Sequence, residues 1–462
     1  MDPRSFQQIA EMVGGKLHGP GVGQVTSVVS DSRSIRPGEL FVALRGDHFD
    51  GHTFLRTVRD AGALGALVTD VDDRLSGFTQ VEVPDTLAGL QRLAQAYRAE
   101  LGLKAIGVTG SSGKTSTKEM IAAVLGEKFS VVRTVANLNN HIGLPLTILT
   151  ATGTDEVGVF EMGMNHTGEL RPLCKITRPD AAVITNVGNA HIGHLGSREA
   201  IAAEKAVLAE SIPPEGFIVL SANDDFTDWI ASRCEGRVIR AGIERGEVRA
   251  RNIDQGWAGA KFLLSSGSQT SEVLLPVHGE HMVANACLAA AVGIEFGLTL
   301  AECAAGLAKT TIPGNRLRLK TLGQLIVIND AYNANPESMV AALKTATQVG
   351  PRGRRVAALG RMGELGNESE AAHRRVGAAV AALGFDYLVT VGDEARLIAK
   401  AASSAGLKST TEADTHEQAV EALLKYLEPD DVLLVKGSFA SAMDRVVKGL
   451  EASLEHAERR SP

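Results

Sequence analysis

Ile106-Gly107-Val108-Thr109-Gly110-Ser111-Ser112-Gly113-Lys114-Thr115-Ser116 is the stretch on which the reading of this chain turns. The apolar residues Ala105–Val108 predict a strand, the glycines a tight turn, and Ser116–Leu125 a helix. Such a loop turns its backbone N–H groups towards phosphate oxygens, and the helix N-terminus adds partial positive charge. Lys114 would reach the β- and γ-phosphates, and the Thr115 hydroxyl a Mg²⁺ ion. The first glycine of the strict eight-residue motif would fall at Val108, so the loop is a variant of it. A Gly-Lys-Thr triplet alone also fits an ordinary turn; the strand before and the helix after favour phosphate binding.

Two further strands run into polar groups. Val157–Phe160 leads to Glu161-Met162-Gly163-Met164-Asn165-His166, and Ala181–Thr185 leads to Asn186-Val187-Gly188-Asn189-Ala190-His191. Ligands of open α/β sheets sit outside the carboxyl ends of the strands. If both strands are parallel neighbours of the phosphate-loop strand, Thr115, Glu161 and His191 meet in one crevice around a Mg²⁺ ion. Hard Mg²⁺ prefers oxygen, so His191 is the less expected ligand. Taken singly, Glu161 also fits a turn cap and His191 a loop histidine.

Other polar positions are open on spacing alone. Lys205 follows Glu204 on a helix predicted over Glu199–Glu210, where a lysine is usually solvated. His281 and Asn285 are four apart and share a face at the start of an Ala-rich helix, Val283–Phe296. Asn329-Asp330-Ala331-Tyr332-Asn333-Ala334-Asn335-Pro336 follows an apolar strand and suits either a turn or hydroxyl and amide recognition. Lys436-Gly437-Ser438 follows Val432–Val435 in the same way.

The chain divides into three blocks. The first, residues 1–84, carries short β runs at Val25–Val29, Leu40–Leu44 and Ala66–Val68 between glycine- and aspartate-rich turns. A helical pattern opened by Asp85 as N-cap connects it, over 85–102, to the second block, 85–313. That block alternates strands and helices and turns irregular but strand-rich from Val238 to Leu275. The third, 314–462, has strands at Leu325–Asn329, Arg355–Leu359, Tyr387–Val391 and Val432–Val435, separated by helices, and ends in polar residues Glu455–Pro462. This is an α/β chain with parallel sheets covered by helices.

Composition narrows the function classes. The 462 residues carry a net charge of −7, with 44% hydrophobic and 22% charged residues, as in a folded soluble protein. An acidic chain gives no support to a sequence-independent nucleic-acid binder, so no nucleic-acid partner is expected. The start MDPRSFQQIAEMVGG has no apolar signal stretch. The longest uncharged small-apolar run, Val376–Phe385, is far short of the roughly 20 residues that cross a bilayer, so no integral membrane segment is expected. The four cysteines, Cys174, Cys234, Cys287 and Cys303, form no Cys-x-x-Cys pair, which fits reduced thiols in a cytoplasm.

Together these motifs resemble the ATP-dependent Mur ligases of bacterial cell-wall synthesis, over essentially the whole chain. The resemblance rests on Gly110–Thr115, Asn137-Leu138-Asn139-Asn140 with Gly143-Leu144-Pro145, Glu161-Met162-Gly163, Asn186-Val187-Gly188 with His191, and Asp330–Pro336. In the first block Asp31-Ser32-Arg33 and Phe41–Gly46 with Phe49-Asp50-Gly51-His52 are similar to a UDP-sugar-binding segment. It implies a small UDP-binding α/β domain, a central P-loop ATPase-type domain with a mostly parallel sheet, and a Rossmann-like C-terminal ligase domain. It implies a cytoplasmic, monomeric amide ligase that uses ATP and two Mg²⁺ ions to join D-alanyl-D-alanine to UDP-N-acetylmuramoyl-tripeptide through an acyl phosphate.

The resemblance also assigns residues. Gly110, Ser111, Ser112, Gly113, Lys114, Thr115 and Ser116 would cradle ATP, with Asn285 at adenine and Arg316 and Asp330 at ribose. Thr115, Glu161, His191 and Lys205, the last as a carbamate, would hold the ions; Lys114, Lys205 and His191 would carry catalysis. Ser32, Arg33, Arg45 and Gly46 would meet the UDP-sugar, Asn139 and Asn140 the muramyl peptide, and Asn333, Asn335 and Lys436 the dipeptide and phosphates. Three places depart from the family pattern: His141, Arg361, and Phe439-Ala440 after Lys-Gly-Ser. Sister readings are the ligase that adds the third peptide residue, which usually carries Thr-Asn in the loop, and folylpolyglutamate synthetase, which lacks a UDP-sugar domain. A nucleotide-driven switch or scaffold would hydrolyse ATP without any acceptor.

Overall fold

The computed structural model describes residues 1–350 and 353–458, so the end of the polar stretch Glu455–Pro462 lies outside the described residues. The first sheet is built from β1 (Lys16–His18), β2 (Ser27–Val29), β3 (Glu39–Val42), β4 (Gly65–Val68) and β5 (Thr79–Glu82), in the order β1-β5-β4-β3-β2. Only β1 runs antiparallel to its neighbour. The run expected as one strand over Val25–Val29 is split. Gln24–Val25 pairs with Arg4–Ser5, and the carbonyl of Thr26 accepts from the chain's N-terminal amine at 3.0 Å. The strand expected to reach Leu44 stops at Val42, because Leu44 turns back to accept from Gly51 N at 2.8 Å.

Asp85 opens the connecting helix α1 (Thr86–Glu100) with extended backbone, and its carboxylate accepts from Ala88 N. One otherwise orphaned amide of the first turn is thereby satisfied. The Asp85→Ala substitution is expected to cost about 1 kcal/mol, read as a lower urea midpoint; an unchanged midpoint would mean that water replaces the cap in full. The apolar face of α1 (Leu90, Leu93, Ala94, Tyr97) is fully buried, and the Tyr97 hydroxyl accepts from Asp2 N at 2.7 Å while donating to Ala151 O at 2.8 Å, fixing the first block to the second.

The second sheet has nine strands: β6 (Lys104–Thr109), β7 (Val131–Arg133), β8 (Val157–Glu161), β9 (Ala181–Ile184), β10 (Phe217–Ser221), β11 (Arg237–Ile243), β12 (Val248–Gly256), β13 (Gly259–Ser266) and β14 (Gln269–Leu275). Their order is β7-β8-β6-β9-β10-β11-β12-β13-β14, parallel as far as β12 and antiparallel beyond it. The irregular stretch from Val238 is this antiparallel extension, with a register shift between Arg251 and Asp254. Three helices bear on the site: α2 (Lys114–Leu125), α3 (Arg198–Glu210) and α4 (Glu280–Glu295). The alanines Ala286, Ala289, Ala290 and Ala291 let α4 lie close in, buried on nearly every side.

The third sheet comprises β15 (Arg318–Leu322), β16 (Leu325–Asp330), β17 (Arg355–Gly360), β18 (Tyr387–Val391), β19 (Thr410–Ala413) and β20 (Val432–Lys436), ordered β15-β16-β20-β17-β18-β19. All but β15 are parallel, and helix α5 (Pro336–Gln348) follows β16. Edge strands β15 and β19 are partly exposed and polar, which hides them from apolar-run reading. Among the described residues no helix is long and apolar enough to cross a membrane. All four cysteines are free thiols, and burial pushes that of Cys287 up to about 12.

Candidate active site

Strand β6 lies between β8 and β9, with Val108 level with both Glu161 and Val183. The three carboxyl ends therefore open side by side, where the chain order reverses across the sheet. Gly110 leaves β6 at φ +149°, and a Cβ there would sit 1.8 Å from Thr185 Oγ1, so only glycine makes this turn. Gly113, at φ +78°, offers no side-chain cap to α2. Among the described residues, the amides of Gly113, Lys114 and Thr115 make no intramolecular hydrogen bond. They are the donors open to an anion at a helix N-terminus.

The two serines of the loop are used differently. Ser111 N donates to Asn186 O at 3.0 Å, and Ser111 Oγ accepts from Gly188 N at 2.9 Å. Ser112 N donates to Asn186 Oδ1 at 3.0 Å, while Asn186 Nδ2 donates to Ser112 Oγ at 2.8 Å. Asn186 thus braces the loop in its open-handed shape, a role that sequence reading did not give it. Lys114 Nζ donates to Gly110 O at 2.7 Å. Burial lowers its pKa, opposed by the charge of Glu161.

Glu161 is 2% exposed. Its Oε1 accepts from Asn139 Nδ2 at 2.7 Å, its backbone N–H donates to Thr134 Oγ1 at 2.9 Å, and its Oε2 has no hydrogen-bond partner among the described residues. A buried carboxylate oxygen without a partner calls for one. Thr115, in the first turn of α2 after the neighbouring strand β6, adds a hydroxyl, and an oxygen-rich donor set of this kind suits a hard cation. His191 stands at φ +65°, with Nδ1 2.5 Å from Glu364 Oε2 of the third block. This is a charge contact without hydrogen-bond geometry, so neither ring nitrogen of His191 has a hydrogen-bond partner among the described residues.

Lys205 is 1% exposed on α3 and makes no hydrogen bond or ion pair among the described residues. Burial, reinforced by the charge of Lys114, drives its pKa well below the ordinary lysine value. Such a lowering gives this amine a larger neutral, nucleophilic fraction than a solvated surface lysine has.

The third block closes the crevice from above. Arg316 Nη2 donates to Thr115 Oγ1 at 3.3 Å, and its guanidinium lies 3.6 Å over the Tyr332 ring. Gly193 N donates to Glu364 O at 3.0 Å, and Asn189 N to Glu337 Oε2 at 3.3 Å. Asp330 accepts from Leu317 N at 3.1 Å and from Lys436 Nζ at 2.6 Å; Lys436 also donates to Asn333 O at 2.8 Å. Asn335 is the N-cap of α5, accepting from Ser338 N at 2.8 Å. The amide of Asn285 packs against Gly113, while His281 lines a cleft of about 430 Å³ with Glu280, Glu337, Lys344 and Arg375. Burial lowers the His281 pKa to about 4. Phe439 is 75% exposed with its ring 6.2 Å from Tyr332.

Away from this crevice, Ser32 and Arg33 follow β2, and Arg45 and Gly46 follow β3, again at carboxyl ends. Arg33 grips Asp31 through two bonds of 2.9 and 2.8 Å, and this pairing holds Asp31 down at about 2. Arg45 spans Asp50 at 3.0 Å and Asp70 at 2.6 Å. His52 Nε2 accepts from Thr69 N at 2.9 Å, so its Nδ1 carries the proton that faces Asp50 at 2.6 Å. Against desolvation, which pushes it up, hydrogen bonds from His52 and Arg45 hold Asp50 down at about 2. Asn140, expected at the peptide, uses its Oδ1 to accept from Ile142 N and Gly143 N at 3.1 and 2.9 Å. Sequence reading did not single out Glu337 or Tyr332, nor Glu364 as the partner of His191.

Comparison with known proteins shows the family of the chain. Family models match as the Mur ligase middle domain over residues 108–293, the Mur ligase glutamate ligase domain over 315–439, and the Mur ligase family catalytic domain over 24–98. A Bacillus subtilis (strain 168) protein named UDP-N-acetylmuramoyl-tripeptide–D-alanyl-D-alanine ligase is 36% identical over 455 residues, 97% of this chain and 99% of the relative. A crystal structure of MurF from Acinetobacter baumannii matches with a TM-score of 0.90 at 31% identity, covering 98% of this chain and 99% of that one. MurF ligase from Thermotoga maritima, solved in complex with ADP, gives a TM-score of 0.83 at 27% identity, covering 93% and 98%.

Proposed function

The chain belongs to the Mur ligase family, and from that premise we propose how it works as an ATP-dependent ligase joining D-alanyl-D-alanine to UDP-N-acetylmuramoyl-tripeptide. The observation that carries the scheme is the side-by-side opening of the Lys114 loop, Glu161 and the His191 segment on β6, β8 and β9. The tripeptide's terminal carboxylate attacks the γ-phosphorus of ATP; the bond to the β–γ bridging oxygen breaks, giving an acyl phosphate and ADP. The dipeptide amine then attacks the acyl carbon and loses a proton, and the tetrahedral intermediate expels phosphate to leave the amide. Such transfer needs charge neutralisation and in-line placement more than covalent help.

Lys114 supplies the first by moving its ammonium from Gly110 O onto the β- and γ-oxygens, while the open amides of Gly113, Lys114 and Thr115 hold the phosphate chain. Thr115, Glu161 and His191 would hold Mg²⁺, joined by Lys205 once its neutral amine has added CO₂ and released a proton to become a carbamate. When bound, Mg²⁺ neutralises phosphate charge and polarises the reacting phosphorus. Asn139 aims Glu161 through its 2.7 Å bond, Asn285 lies at the adenine, and Arg316 with Asp330 lies at the ribose. Ser32, Arg33, Arg45 and Gly46 hold the UDP-sugar, and Asn333 and Lys436 border the dipeptide. The contacts of Arg316, Glu337 and Glu364 across the crevice exclude water, which would otherwise hydrolyse the acyl phosphate.

The test is a phosphate-release assay with ATP, Mg²⁺ and UDP-N-acetylmuramoyl-tripeptide, adding D-alanyl-D-alanine or other amines in turn. Release that requires the dipeptide and yields an amide product is expected. Steady hydrolysis without any acceptor would instead support a nucleotide-driven switch.

A further inference from the structure

Lys118 has no part in this scheme, yet it is 0% exposed on α2, one turn beyond Lys114. Its Nζ donates to Thr134 O at 2.5 Å and pairs with Glu119 Oε1 at 3.0 Å. It stands 3.8 Å from Glu161 Oε2, the atom left without a partner. Glu119 in turn accepts from Arg133 Nε at 2.7 Å. The result is a line of alternating charge, Arg133–Glu119–Lys118–Glu161, running from the half-exposed Arg133 side chain to the floor of the crevice. At 3.8 Å the ammonium is too far to hydrogen-bond Oε2, so it acts on that oxygen by charge alone. Thr134 and Glu119 hold it at that stand-off, and Oε2 stays open.

We propose that Lys118 is a built-in counter-cation for Glu161, a positioning residue that makes binding of a divalent ion conditional on the nucleotide; this rests on Glu161 being a cation ligand. While the crevice holds no phosphate, Lys118 balances the buried carboxylate and repels a free divalent ion. The triphosphate's added negative charge tips the balance, and the ion is accepted together with ATP. A buried carboxylate stripped of its counter-charge is costly, so Lys118→Met leaves Glu161 in need of another cation.

The experiment is thermal unfolding of the nucleotide-free full chain, titrated with Mg²⁺ alone. Wild type is expected to show no shift. Lys118→Met is expected to melt lower by about 6 °C or more and to regain most of that loss in millimolar Mg²⁺. Adding Glu161→Gln to Lys118→Met should abolish the Mg²⁺ response and recover the part of the deficit owed to Glu161, while Glu119 and the Thr134 carbonyl stay without their ammonium partner. A double variant that recovers none of the deficit, a Lys118→Met protein indifferent to Mg²⁺, or an equal Mg²⁺ shift in wild type would overturn the proposal. If Lys118→Met is insoluble, a soluble double variant supports the proposal and an insoluble one overturns it. Calorimetry of MgADP on Glu161→Gln alone tests the underlying reading separately: unchanged affinity would remove Glu161 as a cation ligand, whatever the melting data show.

Discussion

Lys114→Ala is expected to lower turnover about 10³-fold while binding of the UDP-linked peptide stays within a few-fold of wild type. A lysine 4 Å from a phosphate oxygen at an effective dielectric near 20 contributes about 4 kcal/mol. Each 1.36 kcal/mol is a factor of ten in rate. The full value is lost because nothing else in the crevice can take over. Lys205 is buried with its pKa driven well below the ordinary lysine value, Arg316 is engaged with Tyr332 and Thr115, and Lys436 is held by Asp330. The loop itself should survive, since its shape depends on Asn186 and Thr185 rather than on the lysine side chain. Initial-rate kinetics and calorimetry with the UDP-linked peptide check the two halves of the claim. Turnover within tenfold of wild type would take the phosphate chain away from this loop.

Lys205→Met is expected to cost roughly 10²-fold or more in turnover, with the fold intact because methionine fills a similar buried volume. The carbamate supplies an additional reading. An amine this deeply buried and without a partner reacts with CO₂ as its neutral form. Activity of the wild type should therefore fall in CO₂-stripped buffer and return on adding bicarbonate, whereas Lys205→Met should respond to neither. Intact-protein mass measured under native conditions checks the modification directly. Full wild-type activity in stripped buffer, with no added mass, would make Lys205 a plain buried lysine.

What was legible in the sequence was what one strand and the turn after it encode. The apolar runs ending at Thr109, Glu161 and Ile184 are short, wholly buried and bounded by glycine or asparagine, so the carboxyl-end positions of Lys114, Glu161 and His191 could be read from them. Asp85 and the face of α1 were legible for the same reason: capping and 3.6-residue periodicity are local. Partnerships were not. Nothing near Glu364 in the chain announces that it meets His191, and nothing near Asn140 or Asn335 shows that each is occupied by capping its own helix or turn. Edge strands β15 and β19 escaped because half of their residues face water. Lys118 did carry a sign, a lysine four residues after Lys114 and just ahead of the apolar run Met120–Leu125, but its meaning depends on Thr134 and Glu161 arriving from elsewhere in the chain.

Asn186 has a consequence for how such an enzyme can diverge. The same few residues that clamp Ser111 and Ser112 run on to His191, whose partner Glu364 belongs to the neighbouring domain. A mutation in this short ribbon is therefore felt by two domains at once, and tolerated change on one side requires a matching change on the other.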